Sequence, residues 1–198
     1  MSSMSSIQQG VVGQQMFSNY AVLGSGGLID PAAPIADDDR RDFELHIKGN
    51  PRLNLPIQVK TTTKTQHHGG KPEHISIFWW VRKDRLINDD WFWYCFELLD
   101  LTVMDLRDPL FLAPSTVVHK LAGSGTRGNS YRFNFMANLS PKSHDEWVPW
   151  RVNRHDLGQR LLEVMQALPG GLKPTDQQVR RLLAEPSVLW ARHRSTDG

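Results

Sequence analysis

Residues 42–63 read DFELHIKGNPRLNLPIQVKTTT, and the fold turns on whether this stretch is a β-hairpin. Phe43, Leu45 and Ile47 alternate with Asp42, Glu44 and His46, and Ile57 and Val59 alternate with Gln58, Lys60 and Thr62. Period-two alternation is what a strand with one buried face requires, so each segment has an apolar face and a polar one. Lys48-Gly49-Asn50-Pro51 supplies turn chemistry between them, and Pro56 suits a strand start or edge. With Ile47 set against Leu55, an antiparallel ladder brings Asp42 opposite Lys60 and Glu44 opposite Gln58. Opposed Cβ atoms in such a ladder are about 5 Å apart, close enough to share a ligand or a metal ion. Spacing alone leaves two readings open: a binding face of that kind, or a solvated edge with one cross-strand ion pair.

Working outward, residues 7–21 carry apolar side chains at helical spacing, with Gly10 and Gly13 inside the run. GSGGLIDPAAPIADDD then reads as a long loop, whose run Asp37-Asp38-Asp39 is either solvated surface or the entrance to a cation site. Beyond the hairpin, ISIFWWVR (75–82) and WFWYCFELL (91–99) read as two aromatic strands supplying most of the sheet core. Asp108-Pro109 marks a turn, 111–113 a short strand, 115–121 a short helix, 123–130 a loop and 131–136 another strand. Helices are expected over 154–168 and 175–185, the second opening on Thr175 and Gln178 at capping-box spacing. Strands in the middle with helices at the ends predict an α/β domain: a mixed central sheet flanked by helices, with extra helices at the C-terminus. One domain spanning 1–198 is expected, with 1–6 and 191–198 as loose ends.

The 198 residues carry a formal charge of only +2, so whole-chain electrostatics do not announce a polyanionic partner. Local basic clusters do occur, at Arg82-Lys83-Asp84-Arg85, Arg151 with Arg154, Arg180-Arg181 and Arg192 with Arg194. MSSMSSIQQG has neither a basic nor an apolar leader region, no stretch has the length of a membrane span, and a single cysteine excludes an internal disulfide framework. A reducing cytoplasm is the expected setting. Cys95 lies inside an apolar strand and reads as a buried inert thiol. His67, His68 and His74 lack partners at zinc spacing. Gly123, Gly125 and Gly128 match G-x-G-x-x-G, but follow a helix and precede a strand, the reverse of the dinucleotide-binding context. Each competitor to the hairpin therefore has a structural explanation.

A helix, a strand opening on Asp42 in DFEL, and a hairpin into Gln58-Val59-Lys60 in IQVKTTT resemble the core of the PD-(D/E)xK nuclease superfamily. Within it the chain is most similar to the branch of Mrr-type restriction enzymes and Holliday-junction resolvases, in a variant where Q-x-K replaces E-x-K. The resemblance covers about residues 7–100 and implies a restriction-endonuclease-like fold and a divalent-cation-dependent nuclease, using Mg²⁺ or Mn²⁺ on DNA in bacterial defence or repair. Asp42 would be the anchoring ligand, the Val59 carbonyl a second, Gln58 a neutral oxygen donor, and Lys60 the residue that holds the attacking water or offsets phosphoryl charge. Glu44 would compensate for the neutral Gln58, and Gln14 stands on the first helix where related enzymes often carry a glutamate. With neutral amides at both places, a second expectation is a catalytically inactive module on the same fold that binds nucleic acid or a partner protein. Homodimerisation would suit cutting both strands of a duplex.

Overall fold

The computed structural model describes residues 4–34, 41–66 and 73–168. The acidic run 37–39, His67, His68, the expected helix 175–185 and the arginines at 180, 181, 192 and 194 lie outside these residues. Helix α1 (Ser6–Gly24) begins at Ser5, whose hydroxyl accepts from the Gln8 N–H while the Gln8 side chain accepts from the Ser5 N–H, a reciprocal cap. Strands β1 (Ile29–Ala32), β2 (Phe43–Ile47) and β3 (Asn50–Thr62) follow, then β4 (Thr65–Gln66), β5 (His74–Arg82), β6 (Trp93–Asp100) and β7 (Asp105–Pro114). The remaining elements are α2 (Ser115–Leu121), β8 (Gly123–Arg127), β9 (Ser130–Asn138), β10 (Arg151–Val152) and α3 (Leu157–Ala167). No helix among the described residues is long and apolar enough to cross a membrane.

The strands form two sheets. The central sheet runs β1-β2-β3-β6-β7-β10, with β3 and β6 parallel and its other neighbours antiparallel; the second runs β4-β5-β9-β8 and is antiparallel throughout. This is the expected mixed central sheet with helices. The layering follows from which residues alternate. Leu45, Leu55, Ile57, Val59, Cys95 and Leu99 point to one face, where Phe17 and Ala21 of α1 and Leu157, Leu161 and Met165 of α3 cover them. Tyr94, Phe96, Leu98 and Phe111 point to the other and meet Ile75, Ile77, Trp79, Phe133 and Phe135 of the second sheet. The Phe96 and Phe135 rings stack with centroids 3.9 Å apart. Burying each such ring contributes about 1.5–3 kcal/mol.

Several sequence expectations give way. The expected strands 75–82 and 91–99 fall in two sheets rather than in one sheet core: β5 pairs β9 and β6 pairs β3 and β7, so the two aromatic runs face each other across a layer boundary. A parallel β3–β6 pair needs a crossover, and here β4 and β5 supply it in place of a helix. Part of the expected loop 24–39 forms β1 because Ile29 can be buried against Ile47 at the sheet edge. The short strand at 111–113 is the end of a longer β7 that runs through the Asp108-Pro109 turn, and the expected loop 123–130 contains β8, an exposed strand rich in glycine. The helix over 154–168 is present, preceded by a 3-10 turn at Arg154–Asp156.

Helices α1 and α3 touch through glycine. A Cβ on Gly158 would lie 2.2 Å from Ser25 N and 2.5 Å from Ala21 O, both backbone atoms, whereas one on Gly10 would meet nothing within 4 Å. Gly158→Ala is therefore expected to lower stability by about 1–3 kcal/mol through overpacking, and Gly10→Ala to raise it by about 0.5–1 kcal/mol through helix propensity. Urea unfolding of the two variants beside the parent checks both signs.

Candidate functional site

The hairpin faces are as the alternation predicts, but its partners are shifted. Phe43 lies opposite Ile57 and Leu45 opposite Leu55, so Glu44 faces Pro56 rather than Gln58, and Asp42 sits one step before the ladder, beside Gln58 rather than Lys60. The cause is the turn. Lys48 and Gly49, the latter at φ +78°, close a two-residue loop, and the residues after Asn50 are absorbed by a bulge where the pairing jumps from His46–Asn54 to Ile47–Asn50. A shift of two residues preserves every face because the strand period is two.

Asp42 is fixed by its backbone and its carboxylate together. Its N–H donates to the Ile57 carbonyl at 3.0 Å, and its Oδ2 accepts from the Val59 N–H at 2.7 Å. The carboxylate thus caps the edge of β3 between Gln58 and Lys60. In an extended strand the N–H and C=O of one residue point to the same edge, so the Val59 carbonyl is directed to Asp42's side as well. Ile57 and Val59 pack toward α1, which by alternation turns Gln58 and Lys60 to the opposite face; Gln58 is buried and Lys60 half-buried. Glu44 is engaged at the rim by the Arg41 guanidinium, with His46 Nε2 3.9 Å away.

On α1, Gln9 and Gly13 meet the strands. Thr63 Oγ1 donates to Gln9 Oε1 at 3.3 Å, and a Cβ on Gly13 would come within 2.6 Å of both Thr61 and Glu97 side-chain atoms. Gln14, the position singled out from sequence, is half-buried on the same helix.

Glu97 is the residue that sequence reading passes over. It pairs with Thr61 across the parallel β3–β6 ladder and is fully buried. Thr61 Oγ1 donates to its Oε1 at 2.7 Å, while Oε2 has no hydrogen-bond partner. Burial pushes its pKa up to about 8 against the opposing pull of the Thr61 hydrogen bond, and the charge on Asp42 raises it further. At neutral pH the carboxyl is therefore mostly protonated. The one signal in the sequence is a lone acid within WFWYCFELL, a run too apolar to leave a glutamate solvated. The Cys95 thiol, on the same face of the same strand, is buried and raised well above its ordinary pKa, first by burial and then by Glu97, which fits an inert thiol.

The oxygens that Asp42, the Val59 carbonyl and the neighbouring Gln58 could offer are all hard: a carboxylate, a carbonyl and an amide. Among the described residues no group of three or more His, Cys, Asp or Glu comes together as a metal site. Such a set fits an ion of the Mg²⁺ type, which takes one or two protein carboxylates and fills its other positions with water and substrate phosphate. Glu97, whose Oε2 has no hydrogen-bond partner, stands on β6 across β3 from Asp42, on the α1 face that Gln58 and Lys60 turn away from.

Between the ordinary glutamate pKa of 4.5 and about 8, folded Glu97 holds a proton that the unfolded chain has released. Its contribution to stability therefore falls as pH rises through that window, by up to about 1.4 kcal/mol per pH unit, and is level outside it. Glu97→Gln accepts the same Thr61 hydrogen bond without an ionisation to suppress. Denaturant melts from pH 5 to 9 should show the variant gaining on the parent as pH rises toward 8; a pH-independent difference would contradict this assignment.

No family model matches the chain, and no curated protein matches it. Among solved structures the chain is similar to the bacterial homing endonuclease I-Ssp6803I, with a TM-score of 0.51 and 13% sequence identity over 81% of this chain and 97% of that one. At that identity the likeness is one of fold: a mixed α/β sheet architecture common to the two chains.

Proposed function

We propose that the chain is a divalent-cation-dependent nuclease that hydrolyses phosphodiester bonds of nucleic acid, with DNA as its substrate. The observation that carries the reading is the Asp42 carboxylate held on the Val59 N–H, between Gln58 and Lys60 on one strand edge. The likeness to a homing endonuclease supports it at the level of fold. A Mg²⁺ or Mn²⁺ ion held by Asp42, the Val59 carbonyl and Gln58 supplies charge neutralisation at the phosphate and a more acidic water.

The chain's own residues account for the rest. The Val59 N–H fixes one oxygen of Asp42, which sets the orientation of the carboxylate before substrate arrives. Lys60, two residues along the strand from Gln58, would donate a hydrogen bond to the attacking water and offset charge on the phosphoryl oxygens as the new P–O bond forms and the ester P–O bond breaks. The products are a phosphate monoester and an alcohol, whose oxygen takes a proton from solvent. Protonated Glu97 adds no second charge beside Asp42. Glu44, held by Arg41, belongs to the rim of the site in this reading. Both strands of a duplex need two such sites, which a homodimer provides.

Incubated with Mg²⁺ or Mn²⁺ and plasmid, single-stranded or branched DNA, the protein is expected to cut. Asp42→Ala and Lys60→Ala are each expected to lower the rate by about 10²-fold or more, as loss of a group that stabilises developing charge does. Equal cutting by Asp42→Ala would overturn the reading. A second reading, an inactive module on the same fold, is favoured by the neutral Gln58 and the absence of a three-acid cluster among the described residues. Calorimetric titration with Mn²⁺ separates the two: an Asp42-dependent binding heat supports the nuclease, and none supports the module.

A further inference from the structure

The outward face of the second sheet is unlike its inward face. Along β5, Ser76, Phe78, Trp80 and Arg82 point out, opposite Met136, Asn134, Arg132 and Ser130 of β9. Phe78, Trp80 and Met136 are 50%, 44% and 49% exposed, which is high for large apolar side chains beside one another on a sheet. The Arg132 guanidinium lies over the Phe78 ring, 4.8 Å from its centroid. On β8, Gly123 and Gly125 stand opposite Asn134 and Arg132, and a Cβ at either would meet nothing within 4 Å. The face therefore steps down beside its aromatic ridge, where glycine lets a ligand approach closely.

Charge gathers at one end of this face. Arg127 and Arg82 both flank Ser130 on this face, while Lys83 donates its N–H to the Asn129 carbonyl and lies with its ammonium 5.6 Å from the centroid of Tyr131, a ring on the inward side. Asp84 is the acid among them, and Arg82 engages it at 2.6 and 3.0 Å. A second copy of the chain laid face to face would set these cations against their like. A polyanion gains from Arg127 and Arg132.

We propose that this face binds single-stranded nucleic acid, with unpaired bases stacking on Trp80 and Phe78 while Arg132 and Arg127 meet the phosphates. Stacking is the chemistry that exposed rings on a flat antiparallel sheet perform, and arginine planes between them extend the platform. The inference rests on the proposed function only in taking nucleic acid as the ligand; it requires neither cutting nor a metal ion.

The test is fluorescence anisotropy with a labelled oligothymidylate of about 16 nucleotides, in EDTA, so that binding is read without hydrolysis. Phe78→Ala/Trp80→Ala is expected to weaken binding about tenfold or more, and Trp80→Phe to recover most of that loss because a ring remains. Arg132→Ala should weaken binding and flatten its dependence on salt. Val103→Ser, on the exposed turn between β6 and β7, should bind as the parent does. Because all these side chains are exposed, matching thermal melts will show the variants folded. The inference is overturned if the double alanine variant binds the oligonucleotide as tightly as the parent. It is equally overturned if blunt duplex of the same length competes as well as the single strand, or if sedimentation shows that the aromatic substitutions break an oligomer while binding is unchanged. A parent that binds but never cuts with Mg²⁺ or Mn²⁺ supports this face and removes only the nuclease reading.

Discussion

Strand β6 is covered on both faces, and little else in the molecule is free to vary once that is so. Its odd-numbered residues, Trp93, Cys95 and Leu99, belong to the helix-side core, and Tyr94, Phe96 and Leu98 to the core shared with the second sheet. A strand in that position must pair on both edges, because an unpaired backbone group between two apolar layers has no water to turn to. β3 takes one edge in parallel and β7 the other antiparallel. Glu97 is carried into the same environment at a place where only the Thr61 hydroxyl, under a glycine of α1, can receive it. The elevated carboxyl pKa and the close seating of α1 are both consequences of that one burial.

The hairpin was legible because its signal is local. Period-two alternation and a Gly-containing turn assign faces without any knowledge of the rest of the chain, and they put Asp42, Gln58 and Lys60 on the polar one. The pairing was less legible. A two-residue loop with a bulge and the longer loop that sets Ile47 against Leu55 put the same faces inward, so alternation cannot choose between them. Long-range pairing was not legible at all. Nothing in ISIFWWVR says that its partner is SYRFNFMAN rather than WFWYCFELL, since all three offer aromatic side chains suited to a strand. β1 and β8 were hidden for the opposite reason, their proline and glycine reading as loop while neighbouring strands supplied the hydrogen bonds that define them.

The site is poor in charge, and its geometry compensates in a particular way. One carboxylate, Asp42, is oriented by a backbone N–H, with Gln58 buried and Lys60 half-buried on the strand beside it. A second carboxyl, Glu97, is close enough to sense Asp42 but holds its proton. In the proposed site, fixed dipoles and neutral donors would do the orienting that a cluster of acids would do at the cost of mutual repulsion.

The crossover between β3 and β6 runs through the second sheet, and this bears on the order in which the molecule can assemble. The hairpin closes over a turn of two residues, a cheap loop to form. β6 can dock beside β3 as a stable partner only when its other face is covered, and that cover depends on β5 pairing with β9, which lies beyond β7 and α2 in the chain. Half of the candidate site is thus available early from local contacts. The wall that holds Thr61 and Glu97 together depends on the most sequence-distant pairing in the second sheet, the kind of contact that costs the most loop-closure entropy to form.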